Sequence, residues 1–196
     1  MKILSFAFQA FLIGLFLASC SSPSTVKNEN EPPLDTVSYL KSGDSISSAV
    51  QKVLLANVME ATKKGGTGFA ITYCNEKAMP LTDSLSAVYN CTIQRVTDKY
   101  RNPANKLSAN DSIIFAQILA SGAFNSGIVA ENGTIVYYKP VKIAMPACLN
   151  CHGTAGKELK AEIVETIKKK YPEDKATGYK EGDLRGMWKI TFKLSK

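Results

Sequence analysis

Residues 127–143 have the sequence GIVAENGTIVYYKPVKI. Two runs rich in β-branched and aromatic residues, Gly127 to Glu131 and Thr134 to Ile143, flank the dipeptide Asn132-Gly133. Such residues favour strands, and Asn-Gly tolerates the positive φ angles of a two-residue turn. The stretch therefore predicts an antiparallel β-hairpin.

Two further strands are predicted outside the hairpin. Cys91 to Val96 reads as one of them, and the Arg101-Asn102-Pro103 run after it reads as a turn. The chain closes with a strand whose residues alternate, so that one face is apolar and the other is wet. The apolar face holds Trp188, Ile190, Phe192 and Leu194, and the wet face holds Met187, Lys189, Thr191 and Lys193.

Helical spacing of apolar residues surrounds these strands. One pattern runs from Ile46 to Ala61 and ends at Gly65-Gly66. A second short helix is predicted to carry Cys74 on its inward face and to stop before Pro80. Two more helices are predicted, one opened by a capping box of Ser108 and Asp111 and ending at Gly122, and one carrying Leu159, Ile163 and Ile167. The chain is therefore expected to be a single α+β domain, an antiparallel sheet flanked by helices.

The N-terminus reads as a lipoprotein signal. Residues 1–19 combine the positive charge of Lys2 with an apolar run from Ile3 to Leu17, and Leu17-Ala18-Ser19-Cys20 forms a lipobox. The run is shorter than a membrane-spanning helix needs. We expect Cys20 to be lipidated and to anchor the protein in the bacterial envelope, and Ser21 favours the outer membrane, facing the periplasm. Residues 20–44 are expected to form a solvated tether, and residues 45–196 the folded domain.

The formal net charge of the chain is +7. A basic surface can steer a protein toward anionic lipid or an acidic redox partner. The sequence contains no nucleic-acid-binding motif, and export also argues against such a partner.

The string Cys148-Leu149-Asn150-Cys151-His152 contains two of the five cysteines and the single histidine of the chain. It has the attachment pattern of c-type haem, in which two thiols add to the haem vinyl groups and the histidine binds iron. Two intervening residues let both sulfurs reach one porphyrin. We therefore predict one covalently attached haem c.

Two other uses of these cysteines are less favoured. A zinc site could draw on Cys74, Cys91, Cys148 and Cys151, but the first two lack the usual close spacing. A thioredoxin-like dithiol is expected early in a βαβ unit, whereas Cys148 and Cys151 come late in the chain.

The residues alone do not decide which side chain is the second axial ligand of the iron. With one histidine, bis-histidine ligation is excluded. Met187 is expected on the wet face of its strand, and Met145 is too close to the motif to reach the opposite side of the haem. Cys74, Met59 and Met79 remain candidates, and a Cys74–Cys91 disulfide is the alternative for the two leftover thiols.

Several strings resemble a bacterial family of unknown function with a single c-type haem, a PAS-like sensor fold and a His/Cys axial ligand pair. They span residues 46 to 192. The strings are Ala70-Ile71-x-x-Cys74; Arg95 with Arg101-Asn102-Pro103-x-Asn105; Cys148-x-x-Cys151-His152-Gly153; and Tyr171-Pro172-x-Asp174-x-Ala176-x-Gly178-Tyr179-x-x-Gly182-Asp183-x-Arg185-Gly186.

The resemblance implies that Cys74 supplies the thiolate opposite His152. It also implies that five polar residues line or brace the haem region: Arg95, Arg101, Asn102, Tyr179 and Arg185. Two departures from the family pattern are Val96, where a small polar residue is expected, and Met79, which falls close to Cys74.

We expect redox sensing or low-potential electron transfer with a separate protein partner, and not an enzyme. Thiolate ligation favours ferric iron and lowers the potential. Peroxidase chemistry is disfavoured because no second histidine remains to act as acid and base. The alternatives are a thiol-disulfide oxidoreductase and a haem-based gas-binding module in which Cys74 is displaced.

Overall fold

A computed structural model describes residues 35–122, 125–131 and 133–193. The signal peptide, Cys20 and most of the tether lie outside the described residues. The described part has helices and an antiparallel sheet in one domain, which confirms the α+β prediction. The helices are α1 (Thr36–Val88), α2 (Ala109–Ser121), α3 (Leu149–His152) and α4 (Ala161–Lys170), and the strands are β1 (Thr92–Val96), β2 (Gly127–Glu131), β3 (Thr134–Lys142) and β4 (Leu184–Lys193).

The sheet has the strand order β1-β4-β3-β2, and every neighbouring pair is antiparallel. The predicted hairpin is confirmed, with Ile128 paired to Tyr137 and Gly133 at φ 73°. A bulge between Val141 and Lys142 ends the regular pairing of β3 with β4. The last strand of the chain thus lies at the centre of the sheet, beside the first.

Helix α1 is bent at the two glycines where the sequence predicts a break. Gly65 has φ −154° and ψ 22°, and Gly66 has φ 72° and ψ −173°, neither of them helical. The Tyr73 hydroxyl donates to Asn57 Oδ1 at 2.7 Å, so the second segment folds back along the first.

The start of α1 differs from the predicted boundary of the domain. The side chain of Asp35 accepts a hydrogen bond from the Ser38 amide and caps the helix, which therefore begins at Thr36 and not at Asp44. A tether reaching to residue 44 is wrong for its last part, because this cap and the burial of Gly43 hold residues 36–44 in the helix.

The second segment of α1 also runs past Pro80, where the sequence predicts an end. Proline removes one helical hydrogen bond, but tertiary contacts hold the following residues in the helix. Leu85 packs against the buried sheet residues, and the Ile93 amide donates to Ser86 Oγ at 3.0 Å. The prediction of a short helix ending before Pro80 is therefore wrong.

Both faces of the sheet are covered. One packs against α1 through a cluster that includes Ile46, Tyr137 and Trp188, and the other packs against α2 through Phe115. Met187 belongs to the second cluster and is fully buried. The prediction of a wet face on β4 is therefore wrong at Met187, because α2 lies over it.

Two smaller clusters lie beyond the sheet and hold α3 and α4 in place. One joins Ile71 of α1 to Leu159, and the other joins Ile143 to Tyr179. In the part of the chain that the structure describes, no helix has the length and apolar character needed to cross a bilayer.

Candidate functional site

The Cys148 to His152 motif forms a short turn and one turn of helix. A 3₁₀ turn at Pro146–Cys148 leads directly into α3, and Pro146 occupies its first position. Both thiols are half-buried, with Cys151 against the Ile71 cluster and Cys148 against the Tyr179 cluster. The motif is therefore fixed between two packed regions of the domain.

The imidazole of His152 is held by the backbone of a distant loop. Its Nδ1 lies 2.8 Å from the carbonyl oxygen of Ala176. Because a carbonyl only accepts, Nδ1 carries the proton and Nε2 is left as the metal-binding nitrogen. Burial and the positive charges of Arg185 and Arg101 hold the pKa of His152 well below its usual range. The side chain is therefore neutral, as a metal ligand must be.

Cys74 is the thiol that α1 brings to the motif. Burial raises the pKa of the Cys74 thiol to about 11, and the nearby Cys151 contributes, while Arg101 and Arg95 act in the opposite direction. Met59 is 59% exposed. Met79 lies five residues further along α1, about 140° around the helix from Cys74. The position of Cys74 beside Cys151 favours it among the candidates for a second ligand.

The alternatives for the cysteines are not supported. Cys74 and Cys91 are both free thiols, and Cys91 packs in the core between α1 and the sheet, so the disulfide alternative is wrong. Across residues 35–122, 125–131 and 133–193, no three His, Cys, Asp or Glu side chains are grouped to hold a metal ion. Nor does this part of the chain contain the parallel βαβ unit of a thioredoxin-like protein.

Two arginines near the motif have buried nitrogens without hydrogen-bond partners. Arg95 Nε and Arg185 Nε are unpaired, while Arg185 Nη1 donates to Lys99 O at 3.2 Å. Arg185 is 5% exposed, and burial together with Arg95 lowers its pKa to about 9. The Tyr179 hydroxyl is also buried, close to Thr97 and Arg185 but without a well-aligned hydrogen bond.

The positive charge near the motif is not balanced by protein carboxylates, and this bears on whether an acidic cofactor fits the site. Among the described residues, Arg101 is the only arginine with a carboxylate partner, so Arg95 and Arg185 keep their charge without one. Arginine binds carboxylates through paired N–H donors. The residues present therefore fit a group that carries carboxylates, such as the propionates of haem.

The Tyr179 ring connects the arginines to the motif. It meets His152 edge-on, with ring centroids 6.1 Å apart and planes at 84°. Lys99 Nζ lies 4.2 Å from the Tyr179 centroid and donates to Thr177 O at 2.8 Å. Sequence reasoning missed Lys99, because nothing in its local pattern separates it from other surface lysines.

Arg101 binds three protein groups near the motif. Its Nε donates to Asp174 Oδ1 at 2.9 Å, and its Nη2 donates to Cys151 O at 2.7 Å and to Ala176 O at 3.2 Å. Asp174 and Ala176 belong to a string already noted in the sequence, but no role was assigned to them there.

The structure brings most of the predicted site residues together. Asn102 instead caps a local 3₁₀ turn, its side chain accepting from the Ala104 amide at 3.0 Å, so it braces the loop that carries Arg101. The predicted lipidation site Cys20 lies outside the described residues. The residues brought together are Cys74, Arg95, Arg101, Cys148, Cys151, His152, Tyr179 and Arg185.

Comparison with known proteins gives one family and one solved structure. Residues 24–193 match the family model described as Tll0287-like. The chain is 21% identical to that of the crystal structure of the cyanobacterial heme-protein Tll0287, with a TM-score of 0.58 over 85% of this chain and 99% of that chain. At this identity the likeness shows the fold alone. No curated protein matches the chain.

Proposed function

The chain belongs to the Tll0287-like family, and from that premise we propose that it binds one haem covalently and acts in redox sensing or low-potential electron transfer. In this proposal Cys148 and Cys151 hold the porphyrin, and His152 and Cys74 bind the iron. Bound haem would supply a reversible one-electron couple, with thiolate ligation favouring the ferric form.

One observation carries the proposal. The attachment motif lies beside the buried Arg185 and the half-buried Arg95, whose Nε atoms are both buried and unpaired, and neither arginine has a carboxylate partner among the described residues. Burying a charge is costly unless it is paired, so the site is built for a ligand with acidic groups. Haem combines such groups with a metal and with vinyl groups for two thiols.

The proposed axial pair is supported from both sides of the motif. The bond from Nδ1 of His152 to the Ala176 carbonyl leaves Nε2 for the iron. Cys74 comes from a separate helix and lies close enough to Cys151 for that thiol to help raise the pKa of Cys74. Cys74 on α1 and His152 on α3 would then be the two residues that bind the iron.

The cellular setting is part of the same proposal. A lipid on Cys20 would tether the domain to the outer membrane, facing the periplasm, where a separate redox or signalling protein could reach it. We assign the sheet with its covering helices to a PAS-like sensor domain. The relative named above is described as a heme-protein, which agrees with this cofactor.

Covalent attachment is tested by producing the protein with the c-type haem maturation machinery. We expect the denatured, extracted polypeptide to keep its colour and to gain the mass of one haem. Cys148→Ser with Cys151→Ser should yield colourless protein after extraction. Colourless wild type would overturn the proposed function.

The axial assignment is tested by visible spectra of oxidised and reduced protein. Cys74→Ser should move the ferric Soret band, while Cys91→Ala, which removes the thiol in the sheet core, should leave it in place. An unmoved band in Cys74→Ser would exclude the thiolate ligand. Carbon monoxide binding to the ferrous wild type would instead favour the gas-binding alternative.

A further inference from the structure

The Arg101–Asp174 pair contacts the backbone at two points that control His152. Arg101 Nη2 donates to the carbonyl of Cys151, the residue directly before the histidine, and to the carbonyl of Ala176, which receives the imidazole N–H. We propose that this buried pair is a positioning device, holding His152 in its Nδ1–H form and fixing the orientation of its ring. The inference rests on the proposed function, in which His152 is an iron ligand.

The acceptor carbonyl needs such support because of where it lies. Ala176 is 24 positions from His152 and belongs to a stretch between α4 and β4 without regular secondary structure. Asp174 Oδ1 accepts from the Ala176 amide at 3.1 Å, while Arg101 Nη2 donates to the carbonyl of the same residue at 3.2 Å. The pair therefore holds Ala176 at both its N–H and its C=O.

The same loop is tied to α3 by the backbone. The Gly178 amide donates to Gly153 O at 2.8 Å, and the Tyr179 amide donates to His152 O at 2.9 Å. These bonds bring the loop alongside the motif, and the pair then sets the position of the accepting oxygen. Residues far apart in the chain thus form one rigid unit around the imidazole.

Arginine suits this role better than lysine. Its planar fork reaches the carboxylate of Asp174, the Cys151 carbonyl and the Ala176 carbonyl at once, whereas an ammonium group is a single point. The side chains are only 11% and 7% exposed. Because buried ion pairs add little net stability, geometric control is the better account of this one.

The chemical consequence concerns the strength of the iron ligand. A hydrogen bond from Nδ1–H to a fixed acceptor raises the basicity of the imidazole and stabilises ferric iron. Loosening the acceptor weakens that bond, so the midpoint potential should rise. If only the charge of Arg101 mattered, the midpoint potential would not change in Arg101→Lys, which keeps that charge.

The experiment uses the single histidine of the chain as a reporter. Selective ¹⁵N-histidine labelling gives one imidazole signal, and in the ferrous protein the solvent exchange of the His152 Nδ1–H is measured by NMR. In Arg101→Lys and in Asp174→Asn we expect exchange about tenfold faster or more, and a higher midpoint potential. The control is Asp111→Asn, which removes a buried carboxylate from an ion pair beneath α2 and should change neither quantity.

Two results would overturn the inference. The first is an exchange rate and potential in Arg101→Lys equal to those of the wild type. The second is an Asp111→Asn variant that matches Asp174→Asn, since both would then report general loosening of the fold.

The inference can be tested even if the proposed haem binding is wrong. The bond to Ala176 is made by protein atoms alone, so the haem-free full-length chain can be studied as well. There the ¹⁵N shifts should show His152 as the Nδ1–H tautomer. The Nε2–H tautomer would contradict the inference, whether or not haem attaches.

Discussion

Lys189 Nζ lies 2.8 Å from Asp111 Oδ1 and joins the central strand β4 to the first turn of α2. Asp111 is 2% exposed. The same carboxylate accepts from the Tyr138 hydroxyl at 2.8 Å and, through its other oxygen, from the Ser108 amide at 3.1 Å as part of the capping box. One buried carboxylate therefore completes the capping box of α2 and attaches the helix to the sheet.

Asp111→Ala should lower the free energy of unfolding by about 3 kcal/mol, because it leaves Lys189 without its carboxylate partner and removes the carboxylate half of the capping box. Urea unfolding measures the change. The matched control is Asp44→Ala, which breaks the more exposed pair with Lys139, with side chains 59% and 31% exposed, and should cost less than about 1 kcal/mol. Equal losses in the two variants would contradict this interpretation.

The free energy of unfolding should fall in acid because the Asp111 carboxylate becomes protonated. Burial raises the pKa of Asp111, but hydrogen bonds from Lys189, Ser108 and Tyr138 outweigh it, and the net pKa lies below the ordinary value. A lowered folded-state pKa gives stability that is present above the unfolded pKa, about 3.9, and is lost as pH falls through the folded value. The difference in unfolding free energy between wild type and Asp111→Asn should therefore shrink below about pH 4. A difference that stays constant from pH 6 to the acid limit would exclude this linkage.

Gly43→Ala should destabilise the protein although alanine is the better helix former. A Cβ at this position of α1 would lie 2.3 Å from Cγ of Tyr137, a fully buried ring. We expect a loss of about 2 kcal/mol from this overpacking. Gly68→Ala meets only ordinary contacts, 3.7 Å from Thr166 Oγ1, and should stabilise by up to about 1 kcal/mol. Thermal unfolding of both variants decides the matter, and a stabilised Gly43→Ala would show that Tyr137 moves freely.

Gln51→Leu should cost about 1–3 kcal/mol by leaving a buried donor without a partner. Gln51 Oε1 accepts the indole N–H of Trp188 at 2.8 Å, and Trp188 is 1% exposed. The same substitution at the exposed Gln117 should stay within about 0.5 kcal/mol. Denaturant unfolding compares the two, and a neutral Gln51→Leu would mean that the indole N–H finds another acceptor.

Local patterns predicted the elements whose cause is local. The Asn132-Gly133 hairpin and the Ser108–Asp111 capping box need only nearby residues, and both strands and the cap are present. The prediction that the helix ends before Pro80 was wrong because Leu85, beyond the proline, packs on a sheet whose residues come later in the sequence. Met187 was misassigned because alternation along β4 does not reveal that α2 covers the second face.

The site shows the same division. Cys148, Cys151 and His152 are adjacent in sequence, so their motif was visible at once. The partnership of Arg101 with Asp174 spans 73 positions and depends on how the loop before β4 folds over α3. No periodicity or spacing encodes such a contact, and only the folded chain reveals it.

The bend at Gly65 and Gly66 determines which side of the second segment of α1 faces α3. Straight, the 53 residues of α1 would extend about 80 Å, roughly twice the width of a domain of this size. In the bent helix, the rotation of the second segment about its own axis decides which of its side chains lies next to α3. One residue added after the joint would swing Cys74 by about 100° about the helix axis, away from Cys151. The spacing between the glycines and Cys74 is therefore as much a part of the site as the cysteine itself.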